Sequence, residues 1–359
     1  MPPLLNLGRL VRGTLIKRPS AAIRSPYVAD VSIHNNNSRG RGNRNNNITS
    51  TVLAHAPALD VGGMCVEGSD IYLSKRDGEG KTSHSIELVR GAPLTGNGRG
   101  VLVGAHPRLG ELIAEQVLKL GLLQEALPLK GGFVLGPPND FTRTSSPKKK
   151  SPAKKKLKSA EDDSDLNTTT QSTNNGTTIN LQQQVTLGDS RVDFQMTLSN
   201  GKSQHRVIFE VKNVVCADYE EGKAPKPTGP GHCVVVAPPS KAKNKKNGGY
   251  QRSALFPWGR TKGQKYDNKT VVSERACKHL KNLESLSLEK DTTSVVLFII
   301  NREDCESFRG CHEKCPVFAE ILDDVVKAGV KPLAVRVRWT EDGECYFDGV
   351  VPVKLNNTS

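Results

Sequence analysis

The stretch SRVDFQMTLSNGKSQHRVIFEVKNV, Ser190 to Val214, constrains this chain more than any other. Two apolar-alternating runs flank the turn SNGK, Ser199 to Lys202, which is the pattern of a half-buried β-hairpin. Within the alternation stand Asp193, Glu210 and Lys212. Successive side chains of a strand point to opposite faces, so Glu210 and Lys212 share one face and Val211 takes the other. The turn brings Asp193, on the preceding strand, beside them. Two carboxylates and a lysine on one patch suit a hard cation such as Mg2+ or Mn2+, which takes oxygen ligands and activates water. Lys212 would then position that water or offset negative charge on a reacting phosphate. The same residues also suit an ordinary salt-bridge cluster on a strand face, and spacing alone leaves both readings open.

A chain of 359 residues is long for one core, so two domains are expected. The net charge is +14, and nine of those charges fall in segments 34–50, 137–184 and 218–250. These segments are rich in Asn/Arg, Lys/Ser/Thr and Pro/Lys/Gly, and they read as disordered insertions. The remaining body is mildly basic, which supports nucleic-acid binding without requiring it. The longest apolar run, Ser294 to Ile300, has the length of a buried strand, so no membrane span is expected. The eight cysteines form no convincing disulfide framework and point to a reducing, intracellular setting. Lysine runs at 148–150 and 154–158 read as a nuclear localisation signal or a phosphate tether. The basic N-terminus reads either as an organellar transit peptide or, preferably, as a basic first strand.

Strand-like runs PYVADVSI, STVLAHA, SDIYLSK, HSIELV and RGVLVGA, separated by Gly, Asn and Asp, predict a small β-barrel. From Pro107 the period changes. Leu109, Leu112, Ile113, Gln116, Val117 and Leu120 recur at helical spacing up to Gly121. Strands are then expected near 185–198, 204–215, 294–301, 332–339 and 344–353, with helices near 272–289 and 316–328. Interleaved strands and helices give a mixed α/β domain. Cys305, Cys311, His312 and Cys315 have zinc-like residue types, although their placement in a motif and a loop argues against zinc.

GDSRVDF with FEVKNV resembles the core of the sugar fermentation stimulation protein family. Further pieces are similar and fall in the family's order. GTLIKR, YVADV and SDIYLSKRDGEGKTSHSIELV resemble its N-terminal barrel, and ELIAEQVLKLGLL its first helix. ALFP and TVVSERACKHLKNL resemble its middle block, and NREDCESF with FAEILDDVVKAGVKPLAVRV its C-terminal block. The resemblance implies a two-domain α/β (α+β) architecture. An OB-like β-barrel at 11–95, interrupted at 34–50, would precede a PD-(D/E)XK nuclease-like mixed-sheet domain at 96–353, interrupted at about 137–184 and 218–250.

The resemblance also implies a metal site at Asp193 and Glu210, with Lys212 and the helix residue Glu115 completing the catalytic set. Arg275, Lys278 and His279 match the family's basic helix and would contact DNA phosphates. The implied function is DNA binding with Mg2+- or Mn2+-dependent phosphodiester hydrolysis; the alternative is a non-catalytic DNA-binding or regulatory protein that retains a nuclease fold. A carbohydrate-related activity, suggested by the family's name, finds no supporting site. The chain departs from the family at ALDVGG, Ala58 to Gly63, where an Asn-Thr-Gly-Ser-like turn is usual, and in the residues inserted after FEVKN.

Overall fold

The computed structural model describes residues 1–34, 49–58, 61–78, 80–91, 100–129, 133, 135, 168–172, 177–188, 190–225, 234–237, 250–259 and 263–356. The chain opens with the short strand β1 (Leu5–Asn6), followed by β2 (Val11–Lys17), β3 (Val28–His34), β4 (Thr49–His55), β5 (Asp70–Lys75), β6 (His84–Arg90) and β7 (Leu102–Gly104). Strands β4-β3-β2-β5-β6-β7 are neighbours in that order, and β4 pairs back onto β6 in parallel to close the barrel. Alternate residues Leu15, Val31, Ile71, Leu73, Ile86 and Val89 fill its interior. The N-terminal residues belong to the fold, since Leu4 is buried and Leu5 pairs with Cys345.

The rest of the chain supplies α1 (Leu109–Lys119), β8 (Thr168–Ser172), β9 (Thr178–Leu187), β10 (Ser190–Ser199), β11 (Gln204–Val214), β12 (Cys216–Ala217), β13 (Ser253–Phe256), β14 (Lys265–Tyr266), β15 (Lys269–Thr270), α2 (Glu274–Ser287), β16 (Thr292–Ile300), β17 (Ser307–Gly310), α3 (Pro316–Lys327), β18 (Lys331–Trp339), β19 (Glu344–Val351) and β20 (Val353–Lys354). Seven of these strands join β1 in one eight-stranded mixed sheet in the order β1-β19-β18-β16-β11-β10-β9-β8. Its centre, β11-β16-β18, is parallel, and antiparallel strands extend it on both sides. The chain therefore adopts the expected two-domain α+β fold, an OB-like barrel followed by a mixed-sheet domain.

Strands buried on both faces read as continuous apolar runs, and TTSVVLFII of β16 does so. Val295, Leu297 and Ile299 meet α1 on one face; Val296, Phe298 and Ile300 meet α2 and α3 on the other. Helix α1 buries Leu109, Ile113, Ala114, Val117 and Leu118, whereas Leu112, expected on the same stripe, is exposed. Ser273 caps α2 by accepting the Ala276 N–H at 3.2 Å.

Two expectations need correction. A single strand was expected near 185–198, but β9 and β10 form an antiparallel hairpin with Leu187 opposite Ser190. The segment 137–184, expected to be a disordered insertion, contributes all of β8 and most of β9 at its end. The reason lies in TINLQQQVTL: Ile179 and Leu181 are buried in the core, while three glutamines mask the alternation. The lysine runs lie outside the described residues, as do most of 34–50 and much of 218–250. Among the described residues, no helix is long and apolar enough to cross a membrane.

Near-contact of backbones fixes α1 against the sheet. A Cβ added at Gly110 would lie 2.8 Å from Asn213 Cβ and 3.2 Å from its Cα. Gly110→Ala should therefore push α1 off β11 and cost about 1–3 kcal/mol, read as a lower urea midpoint at unchanged m-value.

Candidate metal and phosphate site

The site grows from one interruption in the sheet. Strands β10 and β11 pair from Phe194 opposite Phe209 to Ser199 opposite Gln204. At Asp193 the ladder ends, and the side chain takes the place of a backbone acceptor. The Val211 N–H donates to Asp193 Oδ2 at 2.7 Å. The face changes there too, since Val192 belongs to the core under α2 and α3 while Phe194 belongs to the core under α1. Asp193 is thereby anchored to β11 beside Glu210, as the hairpin pattern implied.

Glu210 and Lys212 lie on the α2 side of β11, and Val211 joins the opposite core. Glu210 Oε1 is paired with the Lys212 ammonium and also accepts from His279 on α2. Arg275 Nε donates to His279 Nε2 at 3.2 Å. A guanidinium only donates, so Nε2 is the acceptor and the ring proton sits on Nδ1, aimed at Glu210. All three hairpin residues are buried, with Glu210 3% exposed.

The two carboxyls titrate in opposite senses. Burial raises Asp193, and the nearby charges of Glu210 and Glu111 add to this; the Val211 N–H and Lys212 oppose it, leaving the group pushed up to about 6. Burial also works against ionised Glu210, but the His279 hydrogen bond and Lys212 outweigh it and hold that carboxyl below its usual range. One acid is thus fully compensated and its neighbour is not. A divalent cation would supply the compensation that Asp193 lacks, and hard oxygen donors of this kind suit it. Among the described residues, however, no three His, Cys, Asp or Glu side chains gather around one point that could hold an ion. Any cation here would rest on two carboxylates and on ligands brought by solvent or substrate.

The other expected residues divide. Glu115 is engaged with Lys119 one turn along α1, and it is Glu111, one turn earlier, whose charge acts on Asp193. Glu111 also accepts from Gln184 Nε2 at 2.9 Å, which ties α1 to β9. Helical periodicity puts residues 111 and 115 on one face, so sequence alone offered no basis for choosing between them. Arg275, Lys278 and His279 do come together, lining a cleft of about 360 Å3 with Ser190, Arg191 and Glu274. Lys278 is exposed and paired with Glu274 at 2.7 Å. Arg191 was missed, although it stands only two residues before Asp193. The zinc-type residues stay dispersed. Cys311 Sγ lies 3.8 Å from Glu313, and Cys305 lies beside Asp304.

These features define the class: a mixed-sheet domain with an acidic pair and a lysine at a broken hairpin, flanked by a basic cleft. Residues 270–343 match the domain described as "Sugar fermentation stimulation protein RE domain". The chain is 29% identical over 158 residues to a sugar fermentation stimulation protein homolog of Rippkaea orientalis, covering 44% of this chain and 46% of the relative. A homolog from Cyanothece is 36% identical over 87 residues, covering 24% of this chain and 36% of the relative. One from Synechococcus elongatus is 22% identical over 308 residues, covering 85% and 86%. The matched part of the chain thus spans less than half the length of the first two relatives. Pyrococcus furiosus SfsA, solved in complex with Ca2+, superposes with a TM-score of 0.57 at 15% identity, over 99% of this chain and all of that one. This chain is thus similar to the sugar fermentation stimulation proteins, by a domain match over residues 270–343 and by the fold.

The raised Asp193 carboxyl has a measurable consequence. A group raised on folding contributes stability that is present below its ordinary range and lost as pH rises through the folded value. Cation-free protein should therefore lose about 2 kcal/mol between pH 4 and pH 7 through this residue. Asp193→Asn should match wild type at pH 4 and melt higher at pH 7 in chelator. Mn2+ at pH 7.5 should raise the wild-type Tm and leave that of Asp193→Asn unchanged.

Proposed function

We propose that this protein binds DNA and that its second domain hydrolyses phosphodiester bonds with a divalent cation, Mg2+ or Mn2+, at Asp193 and Glu210. The observation that carries this reading is the uncompensated Asp193 carboxyl beside a compensated Glu210 and a buried Lys212, next to a basic cleft. A pure backbone binder gains nothing from carboxylates facing a polyanion. When bound, the cation would polarise a phosphoryl oxygen and acidify water. Lys212 would position that water and offset charge on the phosphate. His279 holds Glu210 in place, and Arg191, Arg275 and Lys278 meet the flanking phosphates. The Ca2+ in the Pyrococcus furiosus structure is consistent with a family site for hard divalent cations. The barrel would extend the DNA track by backbone contact, since aromatic residues make up only 5% of the chain.

The alternative, a nuclease fold retained only for binding, draws on the absence of a third clustered ligand among the described residues. Incubation with single-stranded, linear duplex and supercoiled DNA in Mg2+, Mn2+ or EDTA separates the two. Cleavage should require the cation and fall by at least about 100-fold in Asp193→Ala and Lys212→Ala. DNA bound but left intact by wild type and variants alike would instead establish the binding-only protein. Independently, Arg191→Ala and Arg275→Ala should weaken binding to all sequences alike and each reduce the salt slope of log Kd by about 1.

A further inference from the structure

The cleft beside the candidate metal site carries its positive charge unevenly. Ser190 and Arg191 line it from β10, and Glu274, Arg275, Lys278 and His279 from α2. Lys278 and Glu274 neutralise each other across one helical turn at 2.7 Å. The two arginines have no such partner. Arg275 spends its Nε on His279 Nε2 at 3.2 Å, and among the described residues neither guanidinium meets a carboxylate. Two exposed guanidiniums, one from the sheet and one from the helix, thus face a single recess. Each presents N–H groups in a planar fork that fits phosphate oxygens. The recess also lies beside the first turns of α2, and the start of a helix favours an anion.

Charge and size narrow the occupant. An internal phosphodiester carries one negative charge, whereas a phosphate monoester carries about −1.5 to −2 at neutral pH. Two uncompensated cations that open into one recess match the monoester. The cleft volume of about 360 Å3 equals roughly twelve water molecules at about 30 Å3 each, which is room for one phosphate and its sugar rather than a length of duplex. The metal site adjoins it, since His279 of the cleft wall is hydrogen-bonded to Glu210. A strand end seated in the cleft would bring its first phosphodiesters to Asp193 and Glu210.

We propose that the cleft receives the terminal phosphate monoester of a DNA strand, held by Arg191 and Arg275, so that the protein engages phosphorylated ends in preference to strand interiors. Cutting from those ends rests on the nuclease reading of Asp193 and Glu210; binding them does not.

The test uses the full chain and one single-stranded oligonucleotide sequence in four forms: 5′-phosphorylated, 3′-phosphorylated, hydroxyl-ended and circular. Binding is measured in EDTA, where no divalent cation supports cleavage. We expect one phosphorylated end, whose identity sets the polarity, to bind at least about 10-fold tighter than the hydroxyl-ended strand. Hydroxyl-ended and circular strands should bind alike. Arg191→Ala and Arg275→Ala should each reduce the ratio to below about 3-fold, and Arg275→Lys, which keeps the charge and loses the fork, should restore it only in part. Inorganic phosphate and a deoxynucleoside 5′-monophosphate should compete far less well than the phosphorylated strand. Equal affinity for phosphate and hydroxyl ends, a preference that survives both alanine variants, or free phosphate bound as tightly as the strand would overturn the proposal. Products in Mn2+ are read separately: phosphorylated ends bound but left uncut would sink the nuclease reading and leave end recognition standing.

Discussion

The position of every residue in the candidate site depends on β11, the strand held from both sides. It pairs with β10 along one edge and runs parallel to β16 from Arg206 to Val214 along the other. Its Ile208 packs beneath α2 and α3, and its Val207, Phe209 and Val211 beneath α1. A strand so enclosed has no freedom to slip register, because a one-residue shift would carry Glu210 and Lys212 to the opposite, apolar face. The burial of Glu210 and Lys212 is tolerated because each is the other's partner, and that partnership is what the strand's rigidity secures.

Beyond β11, a second set of buried charges braces the molecule. Arg252 and Arg302 both pair with Asp304, and together they hold its carboxyl at about 2 against the opposing effect of burial. Arg302 also donates to the Val215 carbonyl at 3.1 Å and touches Met64 Sδ, a residue of the barrel core. The conspicuous NREDC run is thus part of the joint between barrel and sheet rather than part of a metal centre. Removing either arginine leaves a buried carboxylate short of a partner, which is far more costly than losing a surface pair.

How much of this was legible in the sequence follows from which signals are local. The SNGK turn, the alternation of β10 and β11 and the continuous apolar run of β16 are local, and each identified its element. The shared face of Glu210 and Lys212 followed from strand geometry alone. Strand β9 was hidden because glutamines occupy positions where alternation is usually apolar, and its Gln184 adopts a positive φ of 53° beside the break at Asp193. Long-range facts were not readable in the same way. Nothing local says that His279, sixty-nine residues after Glu210, reaches its carboxylate, or that the charge of Glu111 acts on Asp193. The ordered family-like motifs supplied what spacing could not, an expectation that these distant pieces share one fold.

The backbone bond to Asp193 also limits how the site can coordinate. Oδ2 is committed to the Val211 N–H, and Oε1 of Glu210 to Lys212 and His279. Each carboxylate therefore has one oxygen without a recorded bond among the described residues, and neither can rotate to offer two without giving up a buried partner. Under the proposed function such a centre would be half a coordination sphere. Cation and polyanion would complete one another in it, so the affinity for either would rise in the presence of the other by the same factor.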